Sequence, residues 1–431
     1  MKRIKHLLHN TEFQKRLWFT IFLLIIYEYG SMITLPGIDT GVLADQTKSN
    51  SLIQLLNMIG GGSLDRMSLF ALGVSPFITA SIIIQLMSSD VIPYLTRLKD
   101  QGLKGQVKLD RITRILTIIL AMIQSYGMIV MLSYGQNTGG QNNLFLLSLL
   151  NDNSVGAIIR MCLTMTAGSM IAVWFGDLLT MHGLGNGDSM IICAGILMRI
   201  PTQMTSIYET LAHGHMHLLI GYLISVVIMV IAIVVLQLSE IHIPIWDPSS
   251  RIQKVNDQDS NYLPLKVNTP GVMPIIFASS VMTVPLQILQ LINKPKIYGN
   301  LYQYLGFQSW PSIVIYALLV ILFSFFYAKV QIDADKVSEQ LTKQNAFIPD
   351  FNPGEETKKY INKTLDHIMI FGAFGLTIVA VIPYVLPMFT PLSAGTAIGG
   401  TSILIIIGVL IELKIQVKGL IYKDRYEKFR V

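Results

Sequence analysis

Apolar stretches long enough to cross a lipid bilayer recur along the whole of this 431-residue chain, and no other feature restricts its fold as severely. A hydrocarbon layer about 30 Å thick takes roughly 20 residues of helix. Stretches of that kind lie at roughly 17–36, 74–90, 115–134, 155–176, 189–206, 217–238, 271–292, 312–330, 367–388 and 399–417, ten in all. The composition agrees: 52% of residues are hydrophobic and only 13% charged, more apolar than a soluble core of ordinary make-up can use. The expected fold class is an all-α integral membrane protein with ten transmembrane helices.

Lys and Arg set the orientation. With the N-terminus inside, about 26 of the 32 basic residues fall in cytoplasmic segments, so both termini are expected in the cytoplasm. The first span is not expected to be a cleaved signal peptide, because Glu28 and Tyr29 stand where small residues would precede a cleavage site. The net charge of +6 then reflects topology and the anionic lipid of the cytoplasmic leaflet. Direct nucleic-acid binding is not expected, since no basic stretch is interleaved with base-stacking aromatics. Cys162 and Cys193 fall inside spans and read as buried apolar side chains, with no disulfide or metal site implied.

The two halves, 1–206 and 207–431, echo each other. Gly73-Val74-Ser75-Pro76 followed by Ala80-Ser81 opens the second span of the first half; Gly271-Val272-Met273-Pro274 followed by Ala278-Ser279 opens the second span of the second. Matched Gly/Pro interruptions are the sequence sign of an inverted repeat with a pathway at its interface. Charges are nearly absent from mid-span, and Glu28, Arg160, Arg199 and Glu412 lie near span ends, where long side chains reach the interface. An inverted-repeat secondary transporter shares the symmetry but needs a polar site at mid-membrane. Gly185-Asn186-Gly187-Asp188, with Asp177 before it, also matches the Gly-x-Gly-Asp signature of intramembrane aspartyl proteases. A proteolytic dyad must meet within the bilayer, whereas these carboxylates flank a short hydrophilic turn. That turn lacks the Lys-Ser/Thr of a phosphate cradle, and no nucleotide-binding motif occurs elsewhere.

Several motifs in chain order resemble the SecY family of protein-conducting channels: "GGGSLDRMSLFALGVSPFITASIIIQLM" at 60–87, "MHGLGNGDSMIICAGI" at 181–196, "LPLKVNTPGVMPIIFASS" at 263–280, "NAFIPDFNPGEETKKYINK" at 345–363 and "GGTSILIII" at 399–407. The resemblance runs end to end. It implies two pseudo-symmetric halves around a central pore. A half-helix at about 55–70 plugs the pore from outside, with Gly60, Gly61, Gly62, Ser63, Leu64, Asp65 and Arg66 as plug and hinge; glycines suit a hinge because they permit many backbone conformations. It implies a ring of Val74, Ile78, Ile192, Ile276 and Ile405 that seals by dewetting, with Asp188 beside it where the family usually has an aliphatic residue. It implies a lateral gate between the second and third spans and the seventh and eighth, where Thr79, Gln124 and Ser279 are placed to hydrogen-bond across.

The cytoplasmic loops, about 239–270 and 331–366, depart most from that family. Arginines usual there are missing: "EIHIPIWD" begins the first loop, and Asn352 precedes Pro353-Gly354-Glu355 in the second. The resemblance makes these loops the docking surface of a motor, with Glu240, His242, Asn352, Gly354 and Glu355 in it. Their departures look like the accessory SecY of some Gram-positive bacteria, and the housekeeping and accessory forms both stay open. The implied function is to pass unfolded preproteins across the bacterial plasma membrane and release signal helices sideways into lipid. The implied partners are a SecE-type membrane subunit, a SecA-type ATPase, and a SecG-like or accessory Sec subunit. Neither enzymatic chemistry nor a cofactor is expected.

Overall fold

The computed structural model describes residues 11–35, 67–89, 92–133, 155–212, 216–246, 262–291, 304, 309–331, 334–343, 346–349, 351–389 and 400–429. The helices in chain order are α1 (Thr11–Ser31), α2 (Ser75–Met87), α3 (Pro93–Asp100), α4 (Leu103–Ser133), α5 (Val155–His182), α6 (Gly187–Ala212), α7 (Met216–Leu238), α8 (Met273–Leu291), α9 (Trp310–Gln331), α10 (Ala334–Lys343), α11 (Glu355–Phe389) and α12 (Gly400–Phe429). Each apolar segment read from the sequence coincides with one of these helices. Among the described residues, Leu103–Ile129, Gly156–His182, Trp310–Lys329 and Glu355–Val385 are long and apolar enough to cross a bilayer by themselves.

The ends differ from the sequence reading for physical reasons. Helices α4 and α11 each begin about a dozen residues earlier than the apolar segment within them. Their first turns carry Lys104, Lys108 and Arg111, or Glu355, Lys359 and Lys363, so hydropathy misses helix that continues into water. The first helix stops at Ser31, short of the expected 36. There Leu35 N–H donates to Met67 O at 2.9 Å and Leu69 N–H to Ile33 O at 2.9 Å, and Pro36 disfavours helix at Leu35.

One strand pair joins the helices. Strands β1 (Glu240–Pro244) and β2 (Tyr262–Lys266) form an antiparallel ladder in which Ile243 faces Leu263 and Ile241 faces Leu265. The alternation in "EIHIPI" has the period of a strand, with isoleucines on one face. That face packs on Ala334, Leu341, Ile361, Leu365 and Ile368, and Trp246 exchanges two backbone hydrogen bonds with Phe347. The two cytoplasmic loops of the sequence reading are thus one packed body.

Helices α1, α2, α4, α5 and α6 pack among themselves, as do α7, α8, α9, α11 and α12. The two groups meet where α6 touches α7 and α12, and where α8 touches α2 and α4. Residue 206, the expected boundary of the halves, falls within α6.

The two Gly-Val-x-Pro segments adopt the same local backbone. Gly73 (φ 52) and Gly271 (φ 63) both lie in the left-handed region, two residues before α2 and α8 begin. In each case a side chain from elsewhere takes up the glycine's carbonyl: Ser169 Oγ of α5 donates to Gly73 O at 3.0 Å, and Asn268 Nδ2 to Gly271 O at 3.2 Å. A Cβ at Gly271 would meet nothing within 4 Å, so the cost of a side chain there is conformational. We expect Gly271→Ala to destabilise the purified protein by about 1–2 kcal/mol, the penalty of a left-handed L-residue. Gly221→Ala, in the interior of α7 with equally open surroundings, should be neutral or stabilising. Thermal unfolding of the three proteins in one detergent measures the difference.

Candidate functional site

The five side chains expected to form a ring come from four helices and meet in one apolar cluster. Val74 caps the start of α2, Ile192 lies on α6 and Ile405 on α12; all three are buried members of it. Ile78, one turn into α2, and Ile276 of α8 pack against the same cluster and are partly buried. Both groups of helices therefore contribute to a single contact. Among the described residues no Asp, Glu, Lys or Arg is buried. The arrangement can exclude water by apolar closure but offers no group to bind an ion or sugar.

A second apolar cluster joins α2 to α8 and α9. Ile82 is buried with Ile275, Phe277, Ala278, Met282, Ile313 and Tyr316, and Leu86 packs alongside. Phe277 meets Phe323 and Tyr327 of α9 edge-on, with ring centroids 6.0 and 5.4 Å apart. Thr79 of α2, Gln124 of α4 and Ser279 of α8 are all buried. Thr79 Oγ1 donates to Ser75 O at 3.1 Å and Ser279 Oγ to Ile276 O at 2.8 Å, both within their own helices. The sequence reading missed Gln85 of α2, whose Nε2 donates to Ser81 Oγ of the same helix at 3.3 Å. A lone amide inside "SIIIQLM" was the available signal.

The turn between α5 and α6 is held from three sides. Leu184 N–H donates to Thr20 Oγ1 of α1 at 3.0 Å, Gly187 N–H to Thr180 Oγ1 of α5 at 2.9 Å, and Gly185 N–H to Gln416 Oε1 of α12. Asn186 Oδ1 accepts from the N–H groups of Asp188 and Ser189, capping α6. A Cβ on Gly187 would sit 1.9 Å from Gly176 O, so this close crossing requires glycine. Asp177 is ion-paired with Arg114 of α4 at 2.8 Å, while Asp188 lies in the first turn of α6 against Gly176. Nothing in this geometry favours an acid–base dyad.

On the body built around β1 and β2, Glu240 Oε1 and His242 Nε2 are 3.0 Å apart, and the His242 ring stacks on Tyr262 at 4.0 Å. Asn352 donates from N and Nδ2 to Glu356 Oε2 at 3.1 and 2.8 Å, which fixes the start of α11. Gly354 (φ 103) makes the turn before it and accepts from Ser338 Oγ of α10 at 3.0 Å; Glu355 reaches Lys358 at 4.0 Å. Glu240 and His242 thus lie on β1, and Asn352, Gly354 and Glu355 at the start of α11. Gly60, Gly61, Gly62, Ser63, Leu64, Asp65 and Arg66 lie outside the described residues.

Comparison with known proteins accounts for this arrangement. The SecY family profile matches residues 68–414. The chain is 37% identical over 438 residues to protein translocase subunit SecY 1 of Lactobacillus kefiranofaciens subsp. kefiranofaciens, covering 99% of each chain. It is 38% identical to SecY 2 of the same organism, covering 94% of this chain and 98% of that one, and 33% identical to SecY of Staphylococcus aureus, covering 97% and 96%. A solved protein-conducting channel superposes with a TM-score of 0.65 at 16% identity, over 94% of this chain and 91% of that one, which shows the shared fold. With its profile matched across most of its length and full-length relatives 33–38% identical, the chain belongs to the SecY family.

Proposed function

We propose that this chain is the channel subunit of a preprotein translocase in a bacterial plasma membrane, passing unfolded polypeptides across and releasing apolar helices sideways into lipid. The observation that carries the reading is the convergence of Val74, Ile78, Ile192, Ile276 and Ile405 from four helices on one apolar contact. A translocon must be indifferent to the sequence it carries. An apolar ring seals when closed, yet offers a passing chain no specific partner to hold it. In this reading the helices form two inverted five-span halves, supported by the matched turns at Gly73 and Gly271. The segment 55–70, with its glycine run, is a movable plug. The α2/α4 and α8/α9 contact is the lateral gate.

The chain itself supplies no energy, because its sequence holds no nucleotide-binding motif. A SecA-type ATPase docks on the body built from β1, β2 and the turn before α11, and a small SecE-type subunit is its membrane partner. A secondary transporter gains nothing from the apolar cluster, whose members include no charged residue.

Two experiments test the reading. Ile276→Asn and Ile405→Asn put an amide into the ring; each should hydrate the constriction, raise ion conductance of channels reconstituted in planar bilayers, and admit preproteins with defective signal sequences. Unchanged conductance and stringency in both variants would remove the ring assignment. The second concerns the motor. An accessory-type channel prefers an accessory SecA over a housekeeping one, and Asn352→Arg shifts that balance by only about 1–3 kcal/mol, the scale of one charge-assisted hydrogen bond. Binding of both motors to reconstituted wild type and variant measures it. Full stimulation of the housekeeping motor by the wild-type channel would exclude the accessory form and leave the channel assignment intact.

A further inference from the structure

Side chains of three different helices take up backbone donors of the turn between α5 and α6, and only one of these bonds leaves the group of helices to which the turn belongs. Leu184 N–H goes to Thr20 of α1 and Gly187 N–H to Thr180 of α5, both within that group. Gly185 N–H goes to Gln416 Oε1 of α12, in the other group. Gly185 is buried, so its N–H has little access to water as a substitute partner. Gln416 also ends an apolar stripe. Ile405, Val409, Leu413 and Gln416 follow at intervals of four, four and three residues and so share one face of α12. Ile405 and Val409 are buried in the cluster that holds Ile192, and Leu413 packs against it. Leu413 presses on the turn as well: a Cβ at Gly185 would come within 3.3 Å of its Cδ2. Packing and a hydrogen bond from α12 thus meet on the same residue.

The same helix touches the start of α8. A Cβ at Gly408 would approach Val272 Cγ2 to 2.9 Å, so α12 contacts both the turn that starts α6 and the residue that precedes α8. Ile192 stands about two turns beyond Gly185 on α6, and Ile405 about three turns before Gln416 on α12. The two helices therefore run from one fixed point to the same apolar contact. We propose that Gln416 is a positioning residue of the channel, whose bond to Gly185 clasps α6 to α12 and sets where Ile192 stands against Ile405. This role rests on the channel reading above. In that reading the contacts of α8 with α2 and α4 part when the gate opens, while those of α6 with α7 and α12 remain. Apolar faces in a membrane exchange partners at little cost and hold no register by themselves. A directional bond at a buried N–H does hold one, and only an acceptor can supply it: leucine at 416 would fill the space and leave the N–H bare.

The test pairs hydrogen–deuterium exchange of the turn in the purified full chain with export by inverted membrane vesicles that hold the chain and its own partners. In Gln416→Leu, exchange at Gly185 should rise about 10-fold, the loss of one hydrogen bond. The same variant should raise export of a preprotein with a defective signal sequence about 5-fold, as the closed ring loses a comparable part of its stability, and should still export the intact preprotein. Gln416→Glu keeps an acceptor oxygen and should return both readings close to wild type. Thr20→Val frees Leu184 N–H in the same turn but within one group of helices, so exchange should rise there with signal stringency unchanged. Unchanged exchange at Gly185, or unchanged stringency, in Gln416→Leu overturns the proposal. So does equal loosening by Gln416→Glu or Thr20→Val, which marks a general softening of the turn. Each of these results is read in vesicles that export the intact preprotein and leaves the channel reading standing. Wild-type vesicles that export nothing remove the channel reading, and the role of Gln416 falls with it.

Discussion

A backbone N–H or C=O inside hydrocarbon has no water to bond, and the whole architecture depends on how that demand is met. Helices meet it along their length. They cannot meet it where a helix must begin part-way, and the channel needs two such places, before α2 and before α8. At the first, Gly73 turns left-handed and its carbonyl is taken by Ser169, a fully buried hydroxyl on the middle of α5. At the second, Gly271 turns the same way and Asn268 takes its carbonyl. One polar side chain per break suffices, because a single orphan carbonyl costs about 1–3 kcal/mol if left bare. The breaks in turn allow Val74 and Ile276 to stand near helix starts, where they reach the common cluster.

That cluster and the contact beside it are both apolar, which has an energetic consequence. Between helices in a membrane there is no hydrophobic driving force, since lipid tails are as apolar as leucine. Separating Ile82 and Leu86 of α2 from Phe277 and Met282 of α8 trades protein contacts for lipid contacts of similar quality. Closure is then set by packing, including the edge-on contacts of Phe277 with Phe323 and Tyr327. In the proposed function, a gate of this kind opens for any sufficiently apolar helix. The proposed ring has the opposite requirement: on an aqueous path its isoleucines gain from excluding water, which keeps it shut until a chain fills it.

How much of this the sequence discloses depends on the range of the interaction. The ten apolar segments are legible because hydropathy is local, and each corresponds to a helix. The hydrophilic first turns of α4 and α11 are not, because helix propensity carries past the interface where hydropathy reports nothing. Residues Ile192 and Ile405 stand more than 200 positions apart and share no local pattern; only likeness to a family brought them together before the structure did. The Gly-Val-x-Pro pair was visible as a repeat, while Ser169 and Asn268 were not, since a serine in one span and an asparagine in a loop carry no mark of their partners. The β1/β2 hairpin was equally hidden: five-residue strands inside a long loop fall below what alternation alone can establish.

The body built around β1 and β2 has a direct mechanical route to the interior. Strand β2 ends at Lys266, and Gly271 and α8 follow at once. The connection is not slack: Val267 N–H donates to Ser239 O at 2.9 Å, Asn268 holds Gly271, and Gly372 of α11 lies so close to Val267 that a Cβ would approach its carbonyl oxygen to 2.2 Å. A displacement of the hairpin is therefore passed to the first turn of α8 instead of being absorbed in loop. That turn carries Ile276; three and four residues on come Ser279 and Ser280, which bond back to its carbonyl. The same short segment thus connects the proposed motor surface, the proposed ring and the contact of α8 with α2. Packing transmits such shifts because protein interiors are close-packed and repack between discrete arrangements more readily than they stretch.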